Sequence, residues 1–418
     1  MRKALGMILI IVLLLSLMTA VIFSLSKREK KTIVLEYWTH EDDAREELEN
    51  RLIAEFESNN KNIKIKRVTY PSSELINVVP AAFYSNNGPS LFSLIQTSLP
   101  PLLEGGYLDE YPHGLEKAKN SYIRDVLDAA ALNGSLYGLP MEYTSWVLYV
   151  NDDALSSIGI NPDSSLLSTW EGIKEISEAL VKSDDGVIVK RGFDFRYPYY
   201  LNFLIPMVNE LGGGIEIVNG HYELKGESAW IQVFDFFKEW GPLYEGLGSP
   251  TYKNARTVFP ESGAAMMLSG LYHEERLQND NVDFKWSVHP FPTFKDGIDS
   301  GGAKYLHYWS VNAKLSKKEK KAAWAFIEFL SEHANEYLEE VGLIMPKTEL
   351  FETLSQHDIP YIDIFKSDLE KSSFIFTGKS SETLRALLED AINEIMLKDL
   401  DSTKCVERLS SALRMLPL

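Results

Sequence analysis

The residues best suited to chemistry stand together in the stretch Asn133 to Asn151, NGSLYGLPMEYTSWVLYVN. Glu142 supplies a carboxylate, Thr144 and Ser145 supply hydroxyls, and Tyr143 and Trp146 bracket them with large aromatic faces. Such a set suits a ligand with hydroxyls at its edge and C–H groups on its faces, as a sugar ring has. Asn133-Gly134 predicts a tight turn with positive φ, and Ser135 to Gly138 a short extended arm. Pro140 is expected to interrupt the ladder, and Tyr143 to Val150 to enter a buried sheet as a strand. The stretch thus reads as a crossing between two lobes, around a site that needs both.

No catalytic or metal motif accompanies it. Gly378-Lys379-Ser380 imitates the end of a phosphate loop, but Ser373 stands at the position of its first glycine. Gly212-Gly213-Gly214 is followed by Ile217 where a dinucleotide fingerprint needs another glycine, so it reads as a helix stop. The 8 histidines are scattered with no His-x-x-x-His pair, and no serine sits in a Gly-x-Ser-x-Gly elbow. No catalytic residue, metal or cofactor is therefore expected. A carboxylate pair such as Glu41 with Glu142 keeps a glycosidase reading open, since that chemistry needs two carboxyls about 5 to 9.5 Å apart.

The chain has 418 residues, 45% of them hydrophobic and 24% charged, enough for a large core in two or three lobes. A net charge of -18 disfavours nucleic acid or an anionic membrane surface as partner. With Cys405 alone, an internal disulfide and a cysteine-based zinc site are both excluded. Arg2 and Lys3 precede an uncharged run from Ala4 to Leu25, which as a helix would span about 33 Å. Ser24-Leu25-Ser26 offers small residues for cleavage before the charged linker Lys27 to Lys31. Residues 1–31 are thus expected to be a signal peptide or membrane anchor with its linker, placing the protein outside the cytoplasm, and no lipid-acceptor cysteine follows them.

The elements that must position the site are read from periodicity. A strand from Thr32 to Trp38, a helix capped by Asp42 or Asp43 with Leu48, Leu52 and Phe56 inward, and a half-exposed strand around Ile63 and Ile65 come first. A helix from Ser72 or Ser73 and a buried strand from Leu91 to Ile95 complete an α/β lobe. Ser168 with Glu171 predicts a capping box, and residues 184 to 192 a polar turn region. Helices are expected at 230–240, 318–330, 381–397 and 402–414, and strands at 286–292 and 305–312.

Leu136-Tyr137-Gly138-Leu139-Pro140, then Trp146 to Asn151, then Ser168-Thr169-Trp170-Glu171 resemble, in order and spacing, the family 1 extracellular solute-binding proteins of ABC importers, relatives of maltose-binding protein. The resemblance runs along almost the whole chain after residue 32. It implies an α/β, two-lobe periplasmic-binding-protein fold of type II, each lobe a mixed sheet flanked by helices, with several hinge crossings. The expected division is 32–141 with 303–341 for the N-terminal lobe, and 142–302 with 342–418 for the C-terminal lobe.

It also implies a monomer that captures a sugar or oligosaccharide by closure and delivers it to permease subunits in the membrane. The alternatives are a carbohydrate-active enzyme, or a receptor for a phosphorylated polyol held by Arg196 or Lys304. The cleft residues carried over are Trp38, His40 and Glu41 after the first strand, and Gln96 and Thr97, with Ser98, after the third. Glu142, Tyr143 and Thr144 lie at the crossing, Tyr199 and Tyr272 are stacking aromatics of the second lobe, and Gly302 and Trp309 belong to the return strand. Tyr308, beside Trp309, must point the other way. Gly88-Pro89-Ser90 departs from the family's common Gly-x-Pro-Asp, so a hydrogen bond from that Asp is not carried over.

Overall fold

Strand β1 (Ile33–His40) alternates buried Leu35, Tyr37 and Thr39 with more accessible neighbours, the period of a sheet with helices on one face. It is part of a computed structural model that describes residues 32–417 apart from 186, 197–199, 280 and 375–379. The expected signal or anchor, Tyr199 and the Gly378-Lys379 pair lie outside the described residues. Among the described residues, no helix is long and apolar enough to cross a membrane.

Helix α1 (Asp43–Asn59) starts where the Asp42 side chain accepts from the Arg45 N–H at 2.9 Å, and it buries Leu48, Leu52 and Phe56. Strand β2 (Ile63–Tyr70) pairs in parallel with all of β1. Helix α2 (Ser72–Tyr84) leads to β3 (Leu91–Ile95), parallel on the other side of β1. A small hairpin, β4 (Ala131–Leu132) and β5 (Ser135–Leu136), turns at Asn133 and Gly134 with φ of 52° and 82°.

Strand β6 (Gly138–Thr144) continues past Pro140, but its ladder is irregular there as expected, with Met141 skipped in the pairing. It pairs only with β14 (Ala303–Val311), so an edge position and a register shift between His307 and Tyr308, opposite Pro140, accommodate the missing N–H. The first sheet is completed by β15 (Ser373–Phe374), in the order β15-β14-β3-β1-β2. Because β6 ends at Thr144, Glu142 to Thr144 lie in this first sheet, past residue 141 where the sequence puts the lobe boundary.

The second sheet has the order β13-β7-β12-β9-β8, from β7 (Val147–Asn151), β8 (Lys182–Asp184), β9 (Val187–Phe193), β12 (Ala264–Ser269) and β13 (Trp286–His289). The expected strand across Tyr143 to Val150 is thus two strands in different sheets, broken at Ser145-Trp146. Residues 184 to 192 form most of a hairpin, and β-branched Val187, Ile188 and Val189 explain it better than their polar flanks. A second hairpin, β10 (Gly214–Val218) with β11 (His221–Lys225), stands apart. Helix α3 (Trp170–Leu180) is capped by Thr169, which accepts from the Gly172 N–H at 3.1 Å. The expected capping box does not form: Ser168 Oγ donates to the Ser165 carbonyl, and Glu171 accepts from the Lys295 N–H.

Helices α4 (Leu201–Glu210), α5 (Glu227–Trp240), α6 (Ala255–Val258) and α7 (Tyr272–Asn279) cover this sheet. Trp170, Phe193, Phe195, Phe237 and Trp240 form an aromatic core there, with ring centroids 4.7–6.2 Å apart. Helix α8 (Lys317–Glu332) has a capping box of Ser316 and Glu319 and buries Ala322, Ala323, Phe326, Ile327 and Leu330 on the first sheet. Helices α9 (Ala334–Val341), α10 (Ile362–Lys371), α11 (Ser381–Lys398) and α12 (Ser402–Leu413) follow, the last two packing on α5.

Three passages join the halves. Beside Ser145-Trp146, the segment before β14 places Gly302 so close that a Cβ there would lie 2.5 Å from the Trp146 carbonyl oxygen. Both Asp368 carboxylate oxygens accept from the Gly302 N–H, at 3.1 and 3.2 Å. The third passage follows α9, where the Ile344 carbonyl accepts from the Tyr143 N–H at 2.7 Å.

Candidate functional site

At the ends of β1, β6 and β14, the first sheet gathers polar side chains over a buried ionic base. Arg45 of α1 is fully buried, and its Nε donates to Glu49 Oε1 at 3.0 Å. Glu49 also accepts from Tyr37 Oη, Tyr337 Oη and Arg67 Nε at 2.9, 3.0 and 2.8 Å. Burial pushes the Glu49 carboxyl up, but Arg45 and Arg67 outweigh it and hold it below its ordinary value. A charge with this many donors is tolerated in the interior because its lone pairs are filled.

His40, the last residue of β1, stands on this base. Arg45 Nη1 lies 3.1 Å from its Nδ1 and 2.9 Å from its Nε2. Its ring is stacked at a tilt on His307, with centroids 5.0 Å apart. Burial lowers the His40 pKa well below its usual value, and Arg45 and His307 add to that, so the ring is neutral. Arg256 of α6, from the second half, also contributes to the depression of His40.

His307 and Glu142 are register partners on β14 and β6. His307 Nδ1 lies 2.9 Å from Glu142 Oε2, and Nε2 lies 3.0 Å from the Tyr305 hydroxyl. The carboxylate accepts, which puts the proton on Nδ1 and leaves Nε2 to accept from Tyr305. Trp146, at the crossing, meets Tyr305 edge to face at 6.4 Å. Three rings, a carboxylate and a phenol thus share one corner, donors and acceptors beside aromatic faces.

The other sequence-predicted residues divide by location. Trp38 is half-buried against Tyr70 at 5.2 Å, and its buried indole N–H has no hydrogen-bond partner among the described residues. Glu41 is exposed, and its backbone N–H donates to the Tyr70 carbonyl. Gln96 is buried, its Oε1 accepting from the Leu306 N–H at 2.9 Å, while Thr97 beside it is half-buried and Ser98 is buried. Thr144 is buried, with Oγ1 donating to the Ser145 carbonyl. Tyr272 is half-buried at the start of α7, its ring against Gly270.

Tyr143 packs on Phe351 between the crossings, 5.9 Å between centroids, with Lys304 over its ring. Gly302 is placed by the close Trp146 approach described above. Trp309 is fully buried, donating from Nε1 to Tyr37 Oη at 3.0 Å, and Tyr308 is equally buried, donating to the Val126 carbonyl. Arg196 donates to the Tyr252 carbonyl.

Sequence reasoning missed His307, Tyr305 and Arg45. The alternation Tyr305-x-His307-x-Trp309 on a predicted strand was the available signal for the first two. Arg45 carried only an i,i+4 relation to Glu49, which on most helices marks a solvent-exposed pair.

Residues 51–341 match the family model described as bacterial extracellular solute-binding protein. An arabinooligosaccharide-binding protein of Halalkalibacterium halodurans is 22% identical over 293 residues, 64% of this chain and 64% of the relative. The match therefore spans just under two thirds of that relative's length. Among solved structures, an ABC transporter solute-binding protein of Thermotoga lettingae bound with α-D-tagatose aligns over 92% of this chain and 99% of that one, with TM-score 0.78 and 15% identity. The maltose/maltodextrin-binding domain of Bdellovibrio bacteriovorus bound to maltotriose aligns over 91% and 98%, with TM-score 0.76 and 17% identity. These likenesses give the two-lobe α/β fold.

Proposed function

Because the chain belongs to the bacterial extracellular solute-binding proteins, a family of binding proteins, we propose that it captures a sugar or oligosaccharide between its two lobes and presents it to the permease of an ABC importer. The observation that carries the reading is the chain Glu142–His307–Tyr305, set at the edge of the first sheet beside His40 and faced by Arg256 from the second half. Imidazole and phenol groups exchange hydrogen bonds with hydroxyls of either polarity, and Trp146 and Tyr305 supply ring faces. The arabinooligosaccharide-binding and maltodextrin-binding relatives support the same class of ligand.

In this reading the hinge follows Thr144, precedes Ala303 and follows Val341, the first two being places where the chain passes between the sheets. Closure is driven by contacts that the guest makes with both lobes only when they are shut. The protein works outside the cytoplasm and performs no chemistry on the ligand. A receptor for a phosphorylated polyol is the second reading, favoured by the charge that Arg256 brings to the same corner. A thermal-shift screen of neutral sugars and phosphorylated polyols separates them: a ligand at 100 times its Kd adds about 2.7 kcal/mol of stability. Stabilisation by neutral sugars supports the first reading, and stabilisation by phosphorylated polyols alone supports the second.

A further inference from the structure

We propose that His40, Glu142 and His307 form a binding site for a divalent transition cation of the zinc type. One potential ligand atom from each lies within 4.8 Å of the others, and no second such group occurs among the described residues. The three come from three different strands, so the sheet, and no flexible loop, brings them together. Two imidazoles and a carboxylate are the donors such ions prefer.

The surroundings have the form of an outer shell. With the ion on His307 Nδ1 and Glu142 Oε2, already 2.9 Å apart, the His307 Nε2–H would donate to the Tyr305 hydroxyl now 3.0 Å away. Such a partner fixes the tautomer and orientation of a ligating ring. Zinc bonds of about 2.0–2.2 Å in a tetrahedral arrangement place ligand atoms about 3.3–3.6 Å apart, so the widest separations in the group must close by about an ångström. His40, at a strand end, makes that movement by turning one nitrogen away from Arg45. The positive charge nearby is offset in part: Arg45 and Arg67 are both paired with Glu49 and Arg67 also with Glu46, while Arg256, whose charge reaches His40, adds to what a bound cation must overcome. Three protein donors leave at least one position open to water or to an oxygen of the guest.

The test is a calorimetric titration of Zn2+ into the full chain, made without a polyhistidine tag, stripped with EDTA and free of sugar. Saturable binding of one ion is expected, abolished in His307→Ala and weakened about ten-fold in Tyr305→Phe. Wild-type protein loaded with Cu2+ should give a pulsed electron-paramagnetic-resonance spectrum with two coordinated imidazoles. No saturable Zn2+ binding, binding that survives His307→Ala, or a Cu2+ spectrum with fewer than two imidazoles overturns the proposal. The spectrum needs no variant, so it decides even where His307→Ala fails to fold. The inference does not rest on sugar capture: sugars are screened in EDTA, and either result can fail without the other.

Discussion

His307 and Glu142 sit directly opposite each other on two antiparallel strands, with Nδ1 2.9 Å from Oε2, and only one of these strands was expected in that sheet. The pair fixes which ring nitrogen is left for other partners. Removing either member leaves the other buried and short of a hydrogen bond, at about 1–3 kcal/mol. His307→Ala and Glu142→Gln should each weaken sugar binding about ten-fold or more by calorimetry. Unchanged affinity in both would take the pair out of the site.

Trp309→Phe should behave in the opposite way. Its indole is fully buried and donates to Tyr37. Loss of that bond and of ring volume should lower unfolding free energy by about 1–3 kcal/mol in urea titrations while affinity stays within about two-fold. A loss of affinity at unchanged stability would return Trp309 to the cleft.

Much of the scaffold was legible because it rests on periodicity. Asp42 as a cap, Leu48, Leu52 and Phe56 as a buried stripe, and the inward residues of α8 all follow from a 3.6-residue spacing that tertiary contacts do not override. The β8–β9 hairpin was not legible, since Val187 and Val189 are exposed on it and their polar flanks resemble a loop. Among site residues, Glu142 stood out as a carboxylate between aromatics. His307 did not, because a lone histidine on an apolar strand gives no sign of the partner a distant strand brings to it. Nor did the burial of Trp309 show in the sequence: conspicuous size does not say which face of the sheet an indole occupies.

Arg45 tests the ionic base. Arg45→Met leaves Glu49 buried with Arg67 and two phenols but without its fully buried ion-pair partner. Breaking a buried pair from one side costs about 3–5 kcal/mol. The variant should unfold at markedly lower urea concentration. A midpoint equal to that of the wild type would show that the base is not needed for folding.

Glu274 gives a pH signature. Burial pushes its carboxyl from 4.5 up to about 8, so the folded chain keeps a proton that the unfolded chain has lost between those values. Stability from this group is complete below the unfolded value and is lost as pH rises through the folded one, by up to about 1.4 kcal/mol per unit. Glu274→Gln cannot ionise. In urea titrations across that window the wild type should lose stability relative to the variant as pH rises, and parallel profiles would contradict the assignment.

The most direct measurement of the central claim is calorimetric titration of the full chain with a panel of arabino-, malto- and manno-oligosaccharides, followed by chromatography of the recovered ligand. Capture without chemistry predicts saturable binding of at least one sugar, weakened by His307→Ala, and recovery of that sugar unchanged. Absence of binding across the panel, or the appearance of shorter products, would contradict it.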